Sequence, residues 1–194
     1  MAEPATLQVA QVVADTDAEG PGRRFAIWLQ GCPLRCPGCC NPDMLPFEGG
    51  EPMEVVELLA AIEATSDIDG ITLLGGEPFA QARPAAVLCE AVQARGLGVM
   101  IFSGFTREEL ERRGDDDRRL LAACDLLVDG RYDRRLPDRE RRFVGSTNQR
   151  LHFLTPRYRS DARLGGRNSV ELRLTREGLT INGWPDAASR IGRP

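Results

Sequence analysis

The sequence predicts an α/β fold in which parallel strands alternate with helices. Four short apolar runs have the composition of buried strands: "FAIWLQ" (25–30), "ITLL" (71–74), "LGVMIF" (97–102) and the centre of "CDLLVDG" (124–130). Helical patterns lie between the later runs, and this alternation is typical of βαβ units with parallel pairing and right-handed crossovers. At 194 residues, one well-buried domain is the expected size.

The first two helices are predicted from apolar spacing and from their end signals. "MEVVELLAAIEA" (53–64) places apolar residues at i, i+3, i+4 and i+7, the spacing of one helical face: Val55, Leu58, Leu59 and Ile62. "RPAAVLCEAVQARG" (83–96) has Pro84 near its start and Gly96 after its end. Both segments are therefore expected to pack an apolar face against the sheet.

A third helix and a C-terminal hairpin complete the predicted elements. Thr106 and Glu109 form a capping box for "TREELERR", and a further helical turn passes through Leu120 and Leu121. "GRYDRRLPDRERR" (130–142) carries six Arg and three acidic residues and is predicted to be a loop. "SVELRL" and "LTINGW", separated by "TREG", predict a β-hairpin with one exposed face. We expect a core over 1–150 and an extension, 151–194, that packs on this core rather than forming an independent domain.

Composition excludes several classes of function. The formal net charge of −4 gives no overall basic character, so neither a nucleic acid nor a membrane surface is an expected partner. No run approaches 18 apolar residues, and "MAEPATLQVAQVVADTDAEG" lacks the basic and apolar regions of a signal peptide. A cytoplasmic protein is expected. In that reducing compartment, clustered cysteines serve as metal ligands or catalytic thiols more often than as disulfides.

Four of the six cysteines lie within "GCPLRCPGCC" (31–40). Their spacing is Cys32-x3-Cys36-x2-Cys39, with Cys40 adjacent. The remaining two, Cys89 and Cys124, lie on a helix face and at a strand start, where a small buried apolar residue is expected. Four-cysteine zinc sites usually draw two separated pairs of ligands. Three thiolates instead suit a centre with an open position, such as an iron–sulfur cluster, although zinc or a chance spacing also remains possible at this point.

Several polar or glycine-containing segments follow predicted strands. They are the cysteine loop, "GGEP" (75–78), "SGF" (103–105) and "DGRY" (129–132). Because the carboxyl ends of parallel strands meet at one edge, all four are expected on the same rim. Gly75 and Gly76 allow a ligand to approach the backbone closely, Glu77 offers a carboxylate to an ammonium group, and Pro78 stiffens the exit from the turn.

The CxxxCxxC and GGEP motifs, in this order after two strands, resemble those of the radical S-adenosylmethionine superfamily. "EGPGRRFAIWLQGCPLRCPGCCNP" (19–42) resembles the glycyl-radical-enzyme activating proteins, in which a GPGxR segment, here ending at Arg24, precedes the cysteine loop. "IFSGFTREEL", "DLLVDGRY" and "VGSTNQR" resemble, in order, segments of anaerobic ribonucleotide reductase activators. The resemblance covers 19 to about 150 and implies a partial (βα) barrel of radical S-adenosylmethionine type, here followed by the hairpin extension.

The resemblance also implies a reaction and a set of site residues. Cys32, Cys36 and Cys39 would bind a [4Fe-4S] cluster whose fourth iron is chelated by S-adenosylmethionine. Reductive cleavage of this cofactor would yield a 5′-deoxyadenosyl radical, which would take a hydrogen atom from a glycine of a partner such as anaerobic ribonucleotide reductase. A flavodoxin-type or similar low-potential protein would supply the electron. The residues expected to contact S-adenosylmethionine are Gly38, Cys39, Cys40, Gly75, Gly76, Glu77, Pro78 and Ser103.

Two features depart from the resembled family. Cys40 stands where an aromatic residue or His usually packs near the adenine; we interpret it as a small substitute in the pocket wall, the alternatives being a cluster ligand or a reactive thiol. The chain also continues for some 40 residues beyond "GSTNQ". Two other functions therefore stay open: a radical S-adenosylmethionine enzyme that modifies a peptide or small molecule, and a zinc or redox-thiol binding module without catalysis.

Three further features have a structural and a functional interpretation. His152, the single histidine, is expected to be a packed or surface residue rather than a catalytic base. Asp129, at a strand end, is expected either to contact a ligand's ribose or to cap the following turn. The arginine-rich loop at 131–142 is expected to be solvated, and its place beside the rim also makes it a candidate for docking an acidic partner surface.

Overall fold

A sheet of seven strands forms the centre of the fold. The structure, a computed structural model, describes residues 5–175 and 178–183. The strands of this sheet are β1 (Thr6–Thr16), β2 (Arg24–Leu29), β3 (Glu51–Glu54), β4 (Gly70–Gly75), β5 (Gly98–Phe102), β6 (Leu126–Asp129) and β7 (Arg150–Phe153). Their order in space is β3-β1-β2-β4-β5-β6-β7. The four strands predicted from the sequence are β2, β4, β5 and β6, and they pair in parallel, which confirms the α/β prediction.

The outer strands are antiparallel and were not predicted. Strand β1 pairs antiparallel with β2 and with β3, and β7 pairs antiparallel with β6. The sheet is therefore mixed, and β3 and β7 are its two edges rather than neighbours in a closed barrel. Residues 53 and 54, which the apolar spacing assigned to a helix, belong to β3 because their backbone pairs with Leu7 and Thr6.

Four helices cover one face of the sheet. They are α1 (Val55–Ala64), α2 (Ala82–Gln93), α3 (Arg107–Arg112) and α4 (Asp115–Ala122). The predicted apolar stripe of α1 is buried at Val55, Leu58 and Ile62. The predicted capping box of α3 is present: Thr106 Oγ1 accepts from Glu109 N at 3.2 Å, and Glu109 Oε2 accepts from Thr106 N at 2.8 Å. Cys89 and Cys124 are fully buried in this core, as expected.

Segments on either side of β7 in the chain cover the opposite face. Phe143 and Tyr158 pack there against Met100 and Val128. The predicted hairpin is confirmed as β8 (Val170–Thr175) and β9 (Gly178–Gly183), which pair antiparallel. Its predicted residue Trp184 lies outside the described residues. Glu171 Oε1 accepts a hydrogen bond of 2.8 Å from Asp17 N, so the hairpin contacts the loop between β1 and β2.

Arg24 joins three strands beneath the sheet. Its side chain is fully buried and donates to Thr72 Oγ1, to the Ile71 carbonyl, to Gly98 O and to Tyr158 Oη. Burial lowers the pKa of this guanidinium. Because these acceptors come from β4, β5 and the segment after β7, the arginine of the GPGxR segment has a packing role here.

No helix among the described residues has both the length and the apolar character needed to cross a membrane.

Candidate functional site

A cavity of about 250 Å³ opens at the carboxyl ends of the parallel strands. The loops after β2, β4, β5 and β6 all reach it, which confirms that the four segments share one rim. Its wall also includes apolar side chains of the sheet and residues near the hairpin. The residues that line it include Glu19, Trp28, Cys32, Cys36, Cys39, Cys40, Leu74, Gly75, Gly76, Glu77, Phe102, Ser103, Gly130, Tyr132, Gln149, Ile181, Asn182 and Gly183.

The cysteine loop is held to the end of β2 by main-chain hydrogen bonds. Gly31 N donates to Met44 O at 2.9 Å, and Cys32 N donates to Leu45 O at 3.1 Å. Gly38 adopts φ +77°, and a Cβ at this position would lie 2.5 Å from Cδ of Arg134. The loop therefore turns back on itself between Cys36 and Cys39, and all four of its thiols line the cavity.

Backbone N–H groups surround the three spaced thiols. Those of Leu34 and Arg35 donate to the Cys32 sulfur, and that of Tyr132 donates to the Cys36 sulfur. Asn41 N lies 3.4 Å from Cys39 Sγ. Hydrogen bonds of this kind stabilise negative charge on sulfur and are among the features that tune protein-bound iron–sulfur clusters. The donor set thus fits a cluster held by three thiolates.

The thiols of Cys32, Cys36 and Cys40 have raised pKa values. Burial is the main cause of the raised pKa at both Cys32 and Cys36. At Cys40 a hydrogen bond with the Cys39 side chain, followed by burial, raises the pKa well above that of a free thiol. Among residues 5–175 and 178–183, no three His, Cys, Asp or Glu side chains are grouped so that they could hold a single metal ion.

The glycines of GGEP pack against the start of the cysteine loop. Gly76 N donates to Leu29 O at 2.7 Å, and Glu77 N donates to Gly31 O at 2.9 Å. A Cβ at position 76 would lie 2.4 Å from Gly31 O, closer than van der Waals contact permits. Gly75 adopts φ +99°, which is accessible to glycine. These glycines thus allow the protein's own backbone to come close, a requirement not anticipated from the sequence.

Substituting Ala for Gly76 is expected to displace the cysteine loop from the end of β4. Because the new methyl would meet backbone rather than a flexible side chain, we expect the unfolding free energy to fall by about 1–3 kcal/mol. Denaturant unfolding measures this change. Ala at Gly114 is the control, because its φ of −64° is open to alanine and a Cβ there would meet only Asp117 Oδ2, at 3.6 Å. Equal losses in both variants would contradict the role of the Gly31 contact.

The Glu77 side chain joins the loops after β4 and β5. It is 1% exposed. Its Oε1 accepts from Phe79 N at 3.0 Å and from Ser103 Oγ at 2.9 Å, and its Oε2 accepts from Gly104 N at 2.8 Å. Burial raises the pKa of this carboxyl to about 7, against the lowering effect of these donors. Three of the four lone-pair positions of the carboxylate are thereby used inside the protein.

The predicted contacts of S-adenosylmethionine fall into two groups. Cys39, Cys40, Gly75, Gly76, Glu77 and Ser103 line the cavity, whereas Gly38 and Pro78 are not among its lining residues. Gly38 is exposed, and Pro78 is buried at the start of a short 3₁₀ turn, 78–81. Ser103 Oγ also accepts from Phe105 N at 3.1 Å, so its hydroxyl is used in the turn after β5.

Asp129 and His152 belong to a buried polar cluster behind the rim. Asp129 Oδ2 accepts from Arg107 N at 2.6 Å and from Arg150 Nη2 at 2.8 Å. Asp129 is fully buried and caps the start of α3, which lies before it in the chain, instead of the following turn that the sequence suggested. His152 Nε2 lies 2.9 Å from Asp129 Oδ2 without the alignment of a hydrogen bond. The histidine is a packed residue, as expected.

Two polar residues of the cavity, Glu19 and Asn182, were not predicted from the sequence. Glu19 lies in the loop between β1 and β2, is 7% exposed, and accepts a hydrogen bond of 2.6 Å from Gly183 N. Asn182 is 4% exposed on β9. Glu19 directly precedes the GPG turn, which was the available signal. No sequence signal connects the two residues, which are far apart in the chain.

Substituting Gln for Glu19 is expected to change how stability depends on pH. Burial raises the folded-state pKa of Glu19 from 4.5 to about 7. Between these values the folded chain holds a proton that the unfolded chain releases, so the wild type loses stability as the pH rises through this window. Glutamine does not titrate, so the variant does not lose stability in this way. The variant should therefore gain about 3 kcal/mol over the wild type between about pH 4 and about pH 8.

Urea titrations of both proteins across this pH range provide the measurement. All other titrating groups are shared by the two chains and cancel in the difference. If the unfolding free energies of the two proteins depend on pH in the same way, the pKa of Glu19 is not raised in the folded protein.

Comparison with known proteins places these features in a family. Residues 18–152, more than half of the chain, match the model of the 4Fe-4S single cluster domain. An anaerobic ribonucleoside-triphosphate reductase-activating protein of Enterobacteria phage T4 is 30% identical over 138 residues, which are 68% of this chain and 85% of the relative. The chain belongs to the glycyl radical enzyme activator family.

Other relatives in this activator family match similarly. A reductase-activating protein of Vibrio cholerae is 29% identical over 144 residues, which are 70% of this chain and 91% of the relative. A putative glycyl-radical enzyme activating enzyme of Haemophilus influenzae is 34% identical over 99 residues, which are 49% of this chain and 38% of that protein. The hairpin at 170–183 lies outside the stretch that matches the cluster-domain model.

Proposed function

We propose that this chain is a radical S-adenosylmethionine enzyme that generates a glycyl radical on a partner enzyme of the anaerobic ribonucleotide reductase class. One observation carries the proposal. Three thiols with backbone N–H donors line the same cavity as residues 75–77, here called the GGE segment. The names of the reductase-activating relatives support the choice of partner.

Cys32, Cys36 and Cys39 are the residues that would hold the cluster. When bound, a [4Fe-4S] cluster supplies the electron that splits S-adenosylmethionine into methionine and a 5′-deoxyadenosyl radical. The N–H donors of Leu34 and Tyr132 stabilise the thiolate form of these ligands. Cys40, whose thiol is hydrogen-bonded to Cys39, is proposed as part of the wall around the adenosine.

The GGE segment would orient the methionine end of the cofactor. The main chain of Gly75 and Gly76 faces the cavity at the end of β4. Glu77 keeps this main chain in place by accepting hydrogen bonds from the loop after β5. Its remaining lone-pair position is available to an ammonium group. Gly38 and Ser103 stay proposed contacts, and Pro78 stiffens the segment without lining the cavity.

The sheet gives the cavity an apolar floor. Trp28, Leu74 and Phe102 line it beneath the cysteine loop. Such a floor excludes water and offers few competing reactive groups, which is what a reactive radical species requires. The partial-barrel form of the core, the extension at 151–194, the cytoplasmic location and the flavodoxin-type electron donor are part of the same proposal.

A second candidate function is modification of a peptide or small molecule by the same chemistry. It is favoured by one observation: Ile181, Asn182 and Gly183 of the hairpin line the cavity although they lie beyond the family-matched stretch. A different wall would admit a different substrate.

Anaerobic reconstitution with iron and sulfide tests the proposal. We expect four irons per chain, as for a 4Fe-4S cluster, and release of 5′-deoxyadenosine when a low-potential reductant and S-adenosylmethionine are added. Bound zinc with no cleavage would contradict the proposal and favour a zinc or thiol module.

Electron paramagnetic resonance then separates the two radical functions. The reconstituted protein is mixed with an anaerobic ribonucleotide reductase, S-adenosylmethionine and reductant. A glycine-centred doublet is the expected result. Cofactor cleavage without this signal, for every glycyl radical enzyme of the same genome, would favour a peptide or small-molecule substrate.

A further inference from the structure

The hairpin of β8 and β9 turns its apolar side toward solvent. Its register pairs Leu172 with Ile181 and Leu174 with Leu179. Because side chains alternate along a strand and directly paired residues share a face, these four side chains lie on one face of the hairpin. The exposed fraction is 55% for Leu172, 84% for Leu174 and 52% for Leu179. These four residues are here called the aliphatic strip.

The other face of the hairpin is polar and contacts the rest of the chain. Glu171 and Arg173 alternate with the leucines of β8 and belong to this face. Glu171 Oε1 accepts from Asp17 N at 2.8 Å, and Arg173 donates to the carbonyl of Asp15. Asn182, on the same face, is 4% exposed. A hairpin on a protein surface normally packs its apolar face inward and exposes its polar face, so this reversed arrangement indicates that another molecule covers the strip.

The aliphatic strip is continuous with the wall of the cavity. Ile181 lines the cavity, whereas Leu172, Leu174 and Leu179 are not among its lining residues. Positions two residues apart on a strand are about 7 Å apart, so the strip extends outward from Ile181 toward the turn of the hairpin. A molecule that lies on the strip is therefore adjacent to the cavity that also contains the cysteine loop.

The shape and composition of the strip indicate what kind of molecule covers it. Sites for small molecules are concave and include a few polar groups, whereas the strip is one face of a two-stranded sheet and contains only aliphatic side chains. Exposed apolar surface of this kind is typical of protein docking sites. A second copy of this chain on the strip would lie against Ile181 and obstruct the cavity. A partner protein whose reacting residue enters the cavity fits this position better.

We propose that the aliphatic strip is the docking surface for an apolar segment of the partner enzyme, next to the glycine that enters the cavity. The identity of the partner rests on the proposed function. The strip lies beyond residues 18–152, the stretch that matches the cluster-domain model. It therefore gives this chain a contact with its partner that the cluster domain by itself does not contain.

Binding of the reconstituted full-length chain to the anaerobic ribonucleotide reductase of the same genome, measured by anaerobic calorimetry, tests the surface. In the double variant L172Q/L174Q the reductase should bind at least about tenfold more weakly than in the wild type, a difference of about 1.4 kcal/mol. The reason is that the variant loses two apolar side chains from the contact. Iron content is measured in parallel to verify that each variant is folded and loaded.

The matched control is V56Q. Val56 is 66% exposed on α1 and is not a lining residue of the cavity, so this substitution also replaces an exposed aliphatic side chain by glutamine. Its affinity for the reductase should equal that of the wild type. If the double variant fails to fold, L174Q alone decides, because Leu174 is the most exposed residue of the strip.

Photo-cross-linking identifies the molecule that covers the strip. A p-benzoylphenylalanine is incorporated in place of Leu174 or, as the control, in place of Val56. Irradiation of the mixture with the reductase should link position 174, and not position 56, to an apolar segment of the reductase. A cross-link between two copies of this chain at position 174 would show that the strip is a homodimer interface and would overturn the proposal.

Unchanged affinity in L174Q and L172Q/L174Q, or no binding of the reductase to the wild type, would also overturn the docking surface. The proposed radical function is tested separately by 5′-deoxyadenosine release in the absence of the reductase. Cofactor cleavage together with unchanged binding in the variants would remove the docking surface and leave the radical chemistry. Strip-dependent binding without cofactor cleavage would have the opposite meaning, so the two failures are distinguishable.

Discussion

Replacing Cys32, Cys36 or Cys39 by alanine is expected to abolish cluster binding and cofactor cleavage. Each substitution removes one of three thiols that line the cavity. A cluster held by three ligands cannot lose one and keep its open fourth position. Iron and sulfide analysis after anaerobic reconstitution measures the effect, with 5′-deoxyadenosine release as the activity readout. We expect less than about a tenth of the wild-type iron content.

Alanine at Cys40 and at Cys89 provides the matched controls. Cys40 is adjacent to Cys39 and shares its cavity, whereas Cys89 is buried between helix and sheet. Both variants should retain full iron content. Loss of iron in Cys40→Ala, with retention in Cys39→Ala, would show that the assignment of the third ligand is wrong.

Replacing Glu77 by alanine is expected to give the largest loss of stability among substitutions at the cavity. The carboxylate accepts hydrogen bonds from two backbone N–H groups, those of Phe79 and Gly104, and from the Ser103 hydroxyl. Alanine would leave these buried donors without their acceptor and would also create a cavity. Breaking a buried network of this kind costs about 3–5 kcal/mol, which is measured by denaturant unfolding.

Ser103→Ala is the control for this prediction. It removes a single hydroxyl from the same network and should cost about 1 kcal/mol. The affinity of the reconstituted Glu77→Ala protein for S-adenosylmethionine, measured by equilibrium dialysis, should be at least about tenfold lower than that of the wild type. The reason is that the main chain of residues 75–77 is no longer held in place. A Glu77→Ala protein as stable as Ser103→Ala would contradict the role of the carboxylate in joining the two loops.

The sequence predicted the central elements of the fold well. The four parallel strands are strongly apolar because both of their faces are buried, and such runs are recognisable without partners. The capping box of Thr106 and Glu109 is likewise a local signal, complete within four residues. The outer strands β1, β3 and β7 were not predicted, because they form by pairing with a neighbouring strand and contain no continuous apolar run.

The candidate site was predicted in part for the same reason. Cys32, Cys36 and Cys39 form a short spaced motif, and GGEP follows a strand, so both were visible locally. The hydrogen bonds that individual side chains form were not visible in the same way. Glu77 accepts two of its three hydrogen bonds from the loop after β5, and Asp129 caps α3. These contacts join segments whose distance in space is set by the crossovers.

The sequence by itself determined the chemistry at the rim: a three-cysteine motif, a glycine-rich turn, and strands that end beside one another. These follow from residue type and short-range spacing, which act within a few residues. Only the tertiary structure decided that Gly76 packs on Gly31 and that Glu19 meets β9. Residues brought together across 164 positions of chain leave no periodic or motif signal, because their proximity results from packing of the whole sheet and hairpin.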